Sequence, residues 1–283
     1  MRRDLWRRGL SHTIVALCAA AVLLALVPLA LVMFYVVSQG ITSLNLAFFT
    51  NMPTPVGEPG GGMANAILGS LIVTGLGALF AIPIGIMSGI YAAEYAGTRL
   101  ASAVRFAADT LNGVPSIVIG LFIYGIAVLP FRQFSALAGG LALGVMMIPL
   151  IMRTTEELLL LVPPTLREGA LALGATRGRA VFSVVVPAAL PGILTGILLA
   201  LARIAGETAP LLFTVLNNGY FSTDVTQPIA TLTVQVYTYA ISPYEDWHRQ
   251  AWAGALVLVS IVFFCSLIAR VATARLERVQ RGS

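Results

Sequence analysis

The chain has 283 residues, of which 58% are hydrophobic and 10% are charged, and its mean hydropathy is +0.90. A soluble domain usually carries about 25% charged residues, so this composition excludes a water-soluble fold and indicates an integral membrane protein. The formal net charge is +5. Because the basic residues cluster at predicted helix ends rather than on one patch, the charge does not indicate nucleic-acid binding.

The first hydrophobic segment runs from Leu10 to about Val37 and follows a basic start of the chain. A secretory signal has an apolar region of only about 7–15 residues, so this longer segment predicts a retained membrane anchor. The polar stretch after it contains a run of three glycines, 60–62, and no basic residue. We assign residues 1–63 to an N-terminal transmembrane helix and a first periplasmic loop.

Six segments in all are long enough and apolar enough to cross about 30 Å of hydrocarbon. Lipid offers no hydrogen-bond partners to an open strand, so each span is predicted to be a helix, which gives an all-α fold. The predicted spans are Leu10–Val37, Ala64–Tyr91, Phe106–Leu129, Ala136–Met152, Pro187–Leu216 and Ala251–Ala272.

The arginines predict how the helices are oriented. All seventeen basic residues are Arg, and all but three fall on one side of the six-span arrangement. Arg132 and Arg249 fall on the other side, and Arg203 lies within a span. By the positive-inside rule both termini are predicted to be cytoplasmic.

The second long outer segment covers residues 217–250 and contains Pro228, a residue that suits the first turn of a helix. The segment therefore predicts a short amphipathic helix. Such a helix could lie at the membrane interface without a further task, or it could act as a gate or as a docking surface for an external protein.

Arg203 and Glu207 are the most informative residues of the fifth predicted span. An arginine near the bilayer centre costs about 2.5–3.5 kcal/mol on insertion scales, so it usually faces a partner or a polar pathway. The two residues are four apart and would share one face of a helix, where Glu207 could hold the guanidinium when no anion is present. The planar fork of an arginine suits an oxyanion. A structural ion pair that fixes helix packing is the alternative reading.

Three further residues are weaker candidates for the same pathway. Arg153 ends the fourth predicted span and could either contribute to an anion path or serve as a basic anchor. Ser116 and Thr208 could donate hydroxyl hydrogen bonds, although such residues commonly bond back to their own helix in membranes.

The inner segment 153–187 is too polar to be a span. Thr165 to Glu168 matches a capping-box pattern, and Gly174 offers a helix stop, so a short helix is predicted from Leu166 to Leu173. Such a surface helix could contact a soluble partner, while Glu168 could equally do no more than cap its own helix.

The same segment resembles the EAA loop of ABC importer permeases, whose pattern is Glu-Ala-Ala, three residues, Gly, nine residues, Ile-x-Leu-Pro. Here Glu168-Gly169-Ala170 is followed at the same spacing by Gly174 and by Val184-x-Val186-Pro187, with Gly replacing one Ala and Val replacing both Ile and Leu. Three other stretches resemble permeases of the phosphate-specific ABC importers, the PstA type: Asn112–Val118, Ile148–Glu157 and Arg203–Leu212.

The resemblance implies a type I ABC importer permease (MetI-like) fold in the bacterial inner membrane. It implies a permease core over residues 64–275, with the coupling loop 153–187 and a cytoplasmic tail 276–283. It also implies three kinds of partner: a second homologous permease, two cytoplasmic ATPase subunits and a periplasmic phosphate-binding protein. The residues expected to couple this chain to the ATPase are Glu168, Gly169, Ala170, Gly174 and Pro187.

Nothing in the sequence indicates catalysis or a metal site. The chain lacks lysine, so it has no phosphate-binding loop of the P-loop type, and ATP is expected to be used by the partner subunit. His12 and His248 are far apart, with no metal-ligand spacing between them. The alternatives to a phosphate permease are an importer permease for another oxyanion such as molybdate or sulfate, and a stand-alone channel or membrane enzyme.

Overall fold

The computed structural model describes residues 2–55, 57–58 and 60–282, and their side chains apart from those of 2–9, 269 and 272–282. Every regular element in these ranges is helical, so the predicted all-α fold is confirmed. The helices are α1 (Arg2–Gly40), α2 (Leu46–Thr50), α3 (Ala64–Glu94), α4 (Arg99–Gly113), α5 (Ser116–Ile123), α6 (Ala136–Leu160), α7 (Pro164–Ala172), α8 (Arg177–Ala180), α9 (Val186–Ile204), α10 (Ala209–Leu212), α11 (Leu232–Ala240) and α12 (Glu245–Gly282). A 3₁₀ turn (Ile41–Ser43) follows α1, and π-helical turns follow α5 (Tyr124–Val128) and α8 (Val181–Val185).

Among the described residues, five helical segments are long and apolar enough to cross a membrane, and a bent pair of helices makes a sixth candidate if the pair is counted as one span. The predicted tail 276–283 continues α12 as far as Gly282, and Ser283 lies outside the described residues. The five segments are Leu10–Ser43, Ala64–Glu94, Ala136–Leu160, Arg177–Ile204 and Glu245–Ile268.

The third predicted span, Phe106–Leu129, is wrong as a single helix. The chain instead forms α4 and α5, which meet at an angle of 105°. Val114 between them has an extended backbone with φ −74° and ψ 130°. Pro115 explains this conformation, because its ring disfavours the helical region for the preceding residue and it has no N–H to continue the hydrogen-bond ladder.

The fifth span also differs from its prediction. Pro187–Leu216 was predicted as one helix, but the observed span begins at Arg177 and ends at Ile204. Its last turn tightens, since Gly206 N–H donates to Arg203 O at 3.4 Å, and irregular chain then leads into α10. Pro210 cannot donate a backbone hydrogen bond and therefore cannot continue the helix through this region.

Helix α6 is the centre of the bundle, because α3 and α9 both pack against it through glycines. On α3, a Cβ placed at Gly85 would lie 2.8 Å from Ile151 Cβ, and one at Gly89 would lie 2.7 Å from Met152 O. Without a hydrophobic driving force between helices in lipid, such close approach supplies the dispersion energy of packing.

Helix α9 approaches α6 in the same way. Gly192 lies against the Leu158 side chain and Gly196 against the Thr154 side chain. These glycines therefore serve the close packing of α9 on α6.

The segment between α10 and α11 covers the N-terminal ends of α3 and α6. Backbone N–H groups of Ser135, Ala136 and Leu137 donate to carbonyls of this segment at 3.0–3.1 Å. These bonds satisfy donors that the first turn of a helix leaves unpaired. The predicted helix after Pro228 begins four residues later, at Leu232, as α11.

We expect Gly89→Ala to destabilise the chain by about 1–3 kcal/mol, the usual range for overpacking a close contact. The matched control is Gly75→Ala on the same helix, where an added Cβ meets nothing within 4 Å. That change should stabilise α3 slightly, since alanine is favoured over glycine within a helix by up to about 1 kcal/mol. Thermal unfolding of the two purified variants measures the difference, and equal melting temperatures would contradict the packing account.

Candidate functional site

The bent span formed by α4 and α5 lies against the segment that follows the end of α9. Gly120 of α5 faces α10 so closely that a Cβ on it would lie 2.6 Å from Pro210 Cα. The break between α4 and α5 and the break between α9 and α10 are therefore neighbours in space. Each break leaves backbone groups outside a continuous helical ladder, so both can contribute polar groups to one region.

A cleft of about 150 Å³ opens at this junction. It brings together three of the residues singled out in the sequence, Ser116, Arg203 and Glu207. Its full lining comes from the end of α4 and the start of α5, from α6, and from the end of α9: Leu111, Asn112, Val114, Ser116, Ile119, Met146, Leu150, Arg203, Ile204 and Glu207.

Arg203 is the one cation among the residues that line this cleft. It occupies the last turn of α9, whereas the sequence placed it mid-span, and its side chain is exposed. A positive charge in this turn interacts favourably with the helix dipole and with the carbonyls left unpaired at the helix end. This local stabilisation offers a reason for an arginine at this position before any ligand is considered.

The predicted Arg203–Glu207 ion pair is not formed among the described residues. Glu207 lies beyond the end of α9, so the two residues do not share a helix face as the four-residue spacing suggested. Its backbone N–H donates to Ile204 O at 3.0 Å, and its side chain is half-buried. The cleft therefore contains a cation and a carboxylate that do not neutralise each other directly.

The N-terminus of α5 adds donors to the same cleft. Ser116 is the first residue of α5, and the ladder begins with Val118 N–H donating to Pro115 O at 2.9 Å. The amides of Ser116 and Ile117 have no backbone acceptor among the described residues. Free amides and the helix dipole make such a terminus attractive to an anion. Of these residues Ser116 lines the cleft, and together with Arg203 it gives the cleft chemistry that suits a small anion.

Thr208 lies next to Glu207 in the irregular segment, but it is absent from the lining of the cleft. Its backbone carbonyl accepts from the N–H groups of Leu211 and Leu212 at 3.1 and 3.2 Å. Thr208 therefore starts α10, and the structure does not bring its hydroxyl together with Ser116.

Arg153 lies outside the cleft and belongs to an ion network that joins α4 to α6. Its Nε donates to Asp109 Oδ1 at 2.8 Å, and its Nη1 donates to Glu156 Oε2 at 3.0 Å. Arg105 also pairs with Glu156, whose side chain is only 3% exposed. Arg105 Nη2 further donates to Ala92 O on α3 at 2.6 Å. The network holds three helices together.

Asp109, Glu156 and Arg105 were not singled out in the sequence. Glu156 follows Arg153 by three residues, a spacing that favours contact on one helix face and could have drawn attention to it. Asp109 and Arg105 come from another helix, and nothing in the local pattern gives their distance from Arg153.

The predicted coupling residues lie on and beside α7. Glu168, Gly169 and Ala170 are within this helix, and none of its residues is buried. The predicted capping box is wrong, because α7 begins at Pro164 with Pro163 as its cap and no side-chain capping bond. Proline suits the first helical position, where its missing N–H would be unpaired in any case.

The helix stop predicted at Gly174 is confirmed. Gly174 has φ +83°, its N–H donates to Leu171 O at 2.9 Å, and Ala175 N–H donates to Ala170 O at 3.1 Å. This pair of bonds is a Schellman motif, which usually requires glycine at the left-handed position. Pro187, the last residue of the predicted motif, lies in the first turn of α9.

The known proteins that this chain resembles in sequence include transport-system components of the membrane. The family described as "Binding-protein-dependent transport system inner membrane component" matches residues 81–281. The phosphate transport system permease protein PstA of Yersinia pestis is 45% identical over 275 residues, 97% of this chain and 93% of that protein. The protein of the same name from Haemophilus influenzae is 42% identical, covering 95% of each chain.

Solved structures with a similar fold include an inward-facing MetNI methionine ABC transporter, with a TM-score of 0.61 and 20% identity over 77% of this chain and 95% of that one. A bacterial alginate ABC transporter in complex with a pentasaccharide-bound periplasmic protein gives a TM-score of 0.63 and 16% identity over 96% of this chain and 97% of that one. At these identities the likeness concerns the fold, and it confirms the predicted MetI-like arrangement.

We expect Glu156→Leu to destabilise the chain by about 1–3 kcal/mol, since Arg105 and Arg153 both lose the buried carboxylate acceptor that they share. Asp109→Leu is the matched control: Asp109 belongs to the same network, but its side chain is 58% exposed. An exposed pair contributes only about 0–1 kcal/mol, so the free energy of unfolding of this variant should stay close to that of the unmodified chain. Denaturation of purified protein measures both, and equal losses would contradict the assignment of Glu156 as the buried centre.

Proposed function

We propose that this chain, which belongs to the family of binding-protein-dependent transport system inner membrane components, is a transmembrane permease subunit of an ATP-driven importer of inorganic phosphate. Relatives named as phosphate transport permeases match nearly its whole length. The observation that carries the proposal is the cleft where Arg203 meets the N-terminus of α5. Discontinuous helices that present such termini to anions are a recurring design in transport proteins.

Phosphate would be held in the cleft by charge-assisted hydrogen bonds. The Arg203 guanidinium presents two parallel N–H donors and stays charged at any working pH. The Ser116 hydroxyl makes no hydrogen bond among the described residues, so it is available as a further donor. The unpaired amide N–H groups at the start of α5 also favour a negatively charged ligand.

Glu207 would keep this site weak. Its carboxylate lines the same cleft as Arg203 without pairing to it, so it repels an anion that the guanidinium attracts. A transport site must release its ligand as readily as it binds it. The opposed charges of Arg203 and Glu207 in one small cleft offer that balance. Arg153 would act as a second cation on the path only if its pairing with Asp109 and Glu156 were released.

The assembly we propose contains a second homologous permease, two cytoplasmic ATPase subunits and a periplasmic phosphate-binding protein, in the bacterial inner membrane. Both termini of this chain would be cytoplasmic, in line with the positive-inside rule. The exposed helix α7 would dock on the ATPase through Glu168, Gly169 and Ala170, with Gly174 ending the helix and Pro187 starting α9 beyond it. ATP would be bound by the ATPase and not by this chain.

We expect Arg203→Gln to lower phosphate uptake by about tenfold or more, because hydrogen bonds to a charged group contribute roughly 1.5–3 kcal/mol and 1.4 kcal/mol corresponds to a factor of ten. The measurement is uptake of labelled phosphate by the reconstituted complex. Arg132→Gln removes an exposed arginine outside the cleft and should leave uptake unchanged. Full activity of the Arg203 variant would remove this residue from the phosphate path.

We expect Gly174→Val to weaken the attachment of the ATPase, since a left-handed backbone costs a non-glycine residue roughly 1–2 kcal/mol and would unwind the end of α7. Gly169→Ala is the control, because an added Cβ there meets open space and alanine favours the helix. Co-purification of the ATPase with each variant gives the comparison. Equal recovery from both variants would show that the end of α7 is not needed for docking.

A further inference from the structure

Helix α7 is attached to the rest of the chain by few side-chain contacts. None of its residues is buried, and it packs mainly against α8 and the π-helical turn that follows. Among the described residues it makes one side-chain hydrogen bond to a distant element, from Arg167 Nη2 to Glu94 Oε1 at 2.6 Å. That bond joins α7 to the last residue of α3.

A cavity of about 290 Å³ lies around this ion pair. Its walls come from the end of α3, from α7, and from α8 with the π-helical turn. Beside the cavity, the packed surface between α7 and α3 is small, so van der Waals contact would transmit little force from one to the other. The Arg167–Glu94 pair bridges the two helices at this point.

The position of Glu94 is not explained by the stability of α3 alone. A carboxylate at the C-terminal end of a helix faces the negative end of the helix dipole, which is unfavourable. Glu94 is nevertheless only 15% exposed, and the Nε of Arg167 is buried without a partner among the described residues. Both groups have given up hydration to meet, and a partly buried pair is screened less by salt than one at the surface.

Helix α3 leads from this pair to the candidate anion site. The glycine contacts of Gly85 and Gly89 hold α3 tightly against α6, so the two helices behave as one packed unit. Helix α6 in turn contributes Met146 and Leu150 to the cleft that contains Arg203. Two closely packed helices therefore connect Glu94 to the cleft.

We propose that the Arg167–Glu94 ion pair transmits movement of α7 to α3, beside the covalent connection of α7 to α6 through residues 161–163, which makes Glu94 a positioning residue for transport. The inference rests on the proposed function, because α7 moves in this way only when an ATPase docks on it. A purely structural pair would fix α7 in place without affecting how much transport each ATP supports. The two roles therefore differ in the number of phosphate ions transported per ATP hydrolysed, and not only in the total transport rate.

The experiment measures phosphate transported per ATP hydrolysed by the reconstituted complex carrying Glu94→Gln. We expect this ratio to fall by about fivefold or more, the lower end of ordinary coupling between sites. ATPase co-purification and the rate of ATP hydrolysis should stay near those of the unmodified complex.

Arg167→Gln should give the same result, and the exchanged pair Glu94→Arg with Arg167→Glu should restore at least half of the ratio. Asp246→Asn, which breaks the exposed Asp246–Arg249 pair elsewhere on the chain, is the control and should leave the ratio unchanged.

An unchanged ratio in both single variants would overturn the inference. A second outcome would also overturn it: the single variants lose ATPase attachment, the exchanged pair restores that attachment, and the phosphate transported per ATP hydrolysed never changes. That outcome would assign the pair a structural role only. The proposed function is judged separately by the unmodified complex. If the unmodified complex does not transport phosphate, the proposed function is wrong. If it does transport phosphate and the Glu94 variants transport as much phosphate per ATP, only the coupling role of the ion pair is wrong.

Discussion

Backbone that leaves the helical ladder within a membrane span must find its hydrogen-bond partners inside the protein or in water, and this constraint shapes the centre of the molecule. The helical ladder is interrupted after Gly113, within the bent candidate span, and ends after Ile204, at the end of another candidate span. Both breaks meet at the contact between Gly120 and Pro210, so the exposed amides of one and the cation at the end of the other share a single cleft. An anion, or water in its absence, is the partner that such a cleft suits.

Helix α6 connects this cleft to α7, the helix that we propose as the docking site of the ATPase. Glycines on α3 and α9 let both helices approach α6 closely, and two ion pairs tie α4 to it, one between Arg105 and the buried Glu156 and one between Asp109 and Arg153. The α4–α5 break therefore rests on a scaffold that is fixed by both packing and charge. Closely packed helices rearrange between discrete arrangements rather than deforming continuously, so a small movement at one end can be passed to the other.

The sequence predicts the residue types of the site better than its geometry. Arg203 and Ser116 were identified because charge and hydroxyl groups are rare in apolar spans, and Gly174 because glycine favours the end of a helix. The helix breaks were missed, since a proline in an apolar run does not by itself end a helix: Pro83, Pro149 and Pro191 all lie inside continuous helices. At Pro115 the extended conformation of the preceding residue accompanies a 105° bend, beside the close contact of Gly120 with Pro210, and Glu94 and Arg167 are likewise brought together only by the fold.

The most direct test of the central claim is chemical access to the cleft. With Cys18 and Cys265 replaced, Ser116→Cys would place the single thiol of the chain at the start of α5. In the assembled complex we expect a negatively charged thiol reagent to label this position, and phosphate to slow the labelling. A thiol that stays unlabelled with and without nucleotide, from either side of the membrane, would contradict an anion route between the two broken spans.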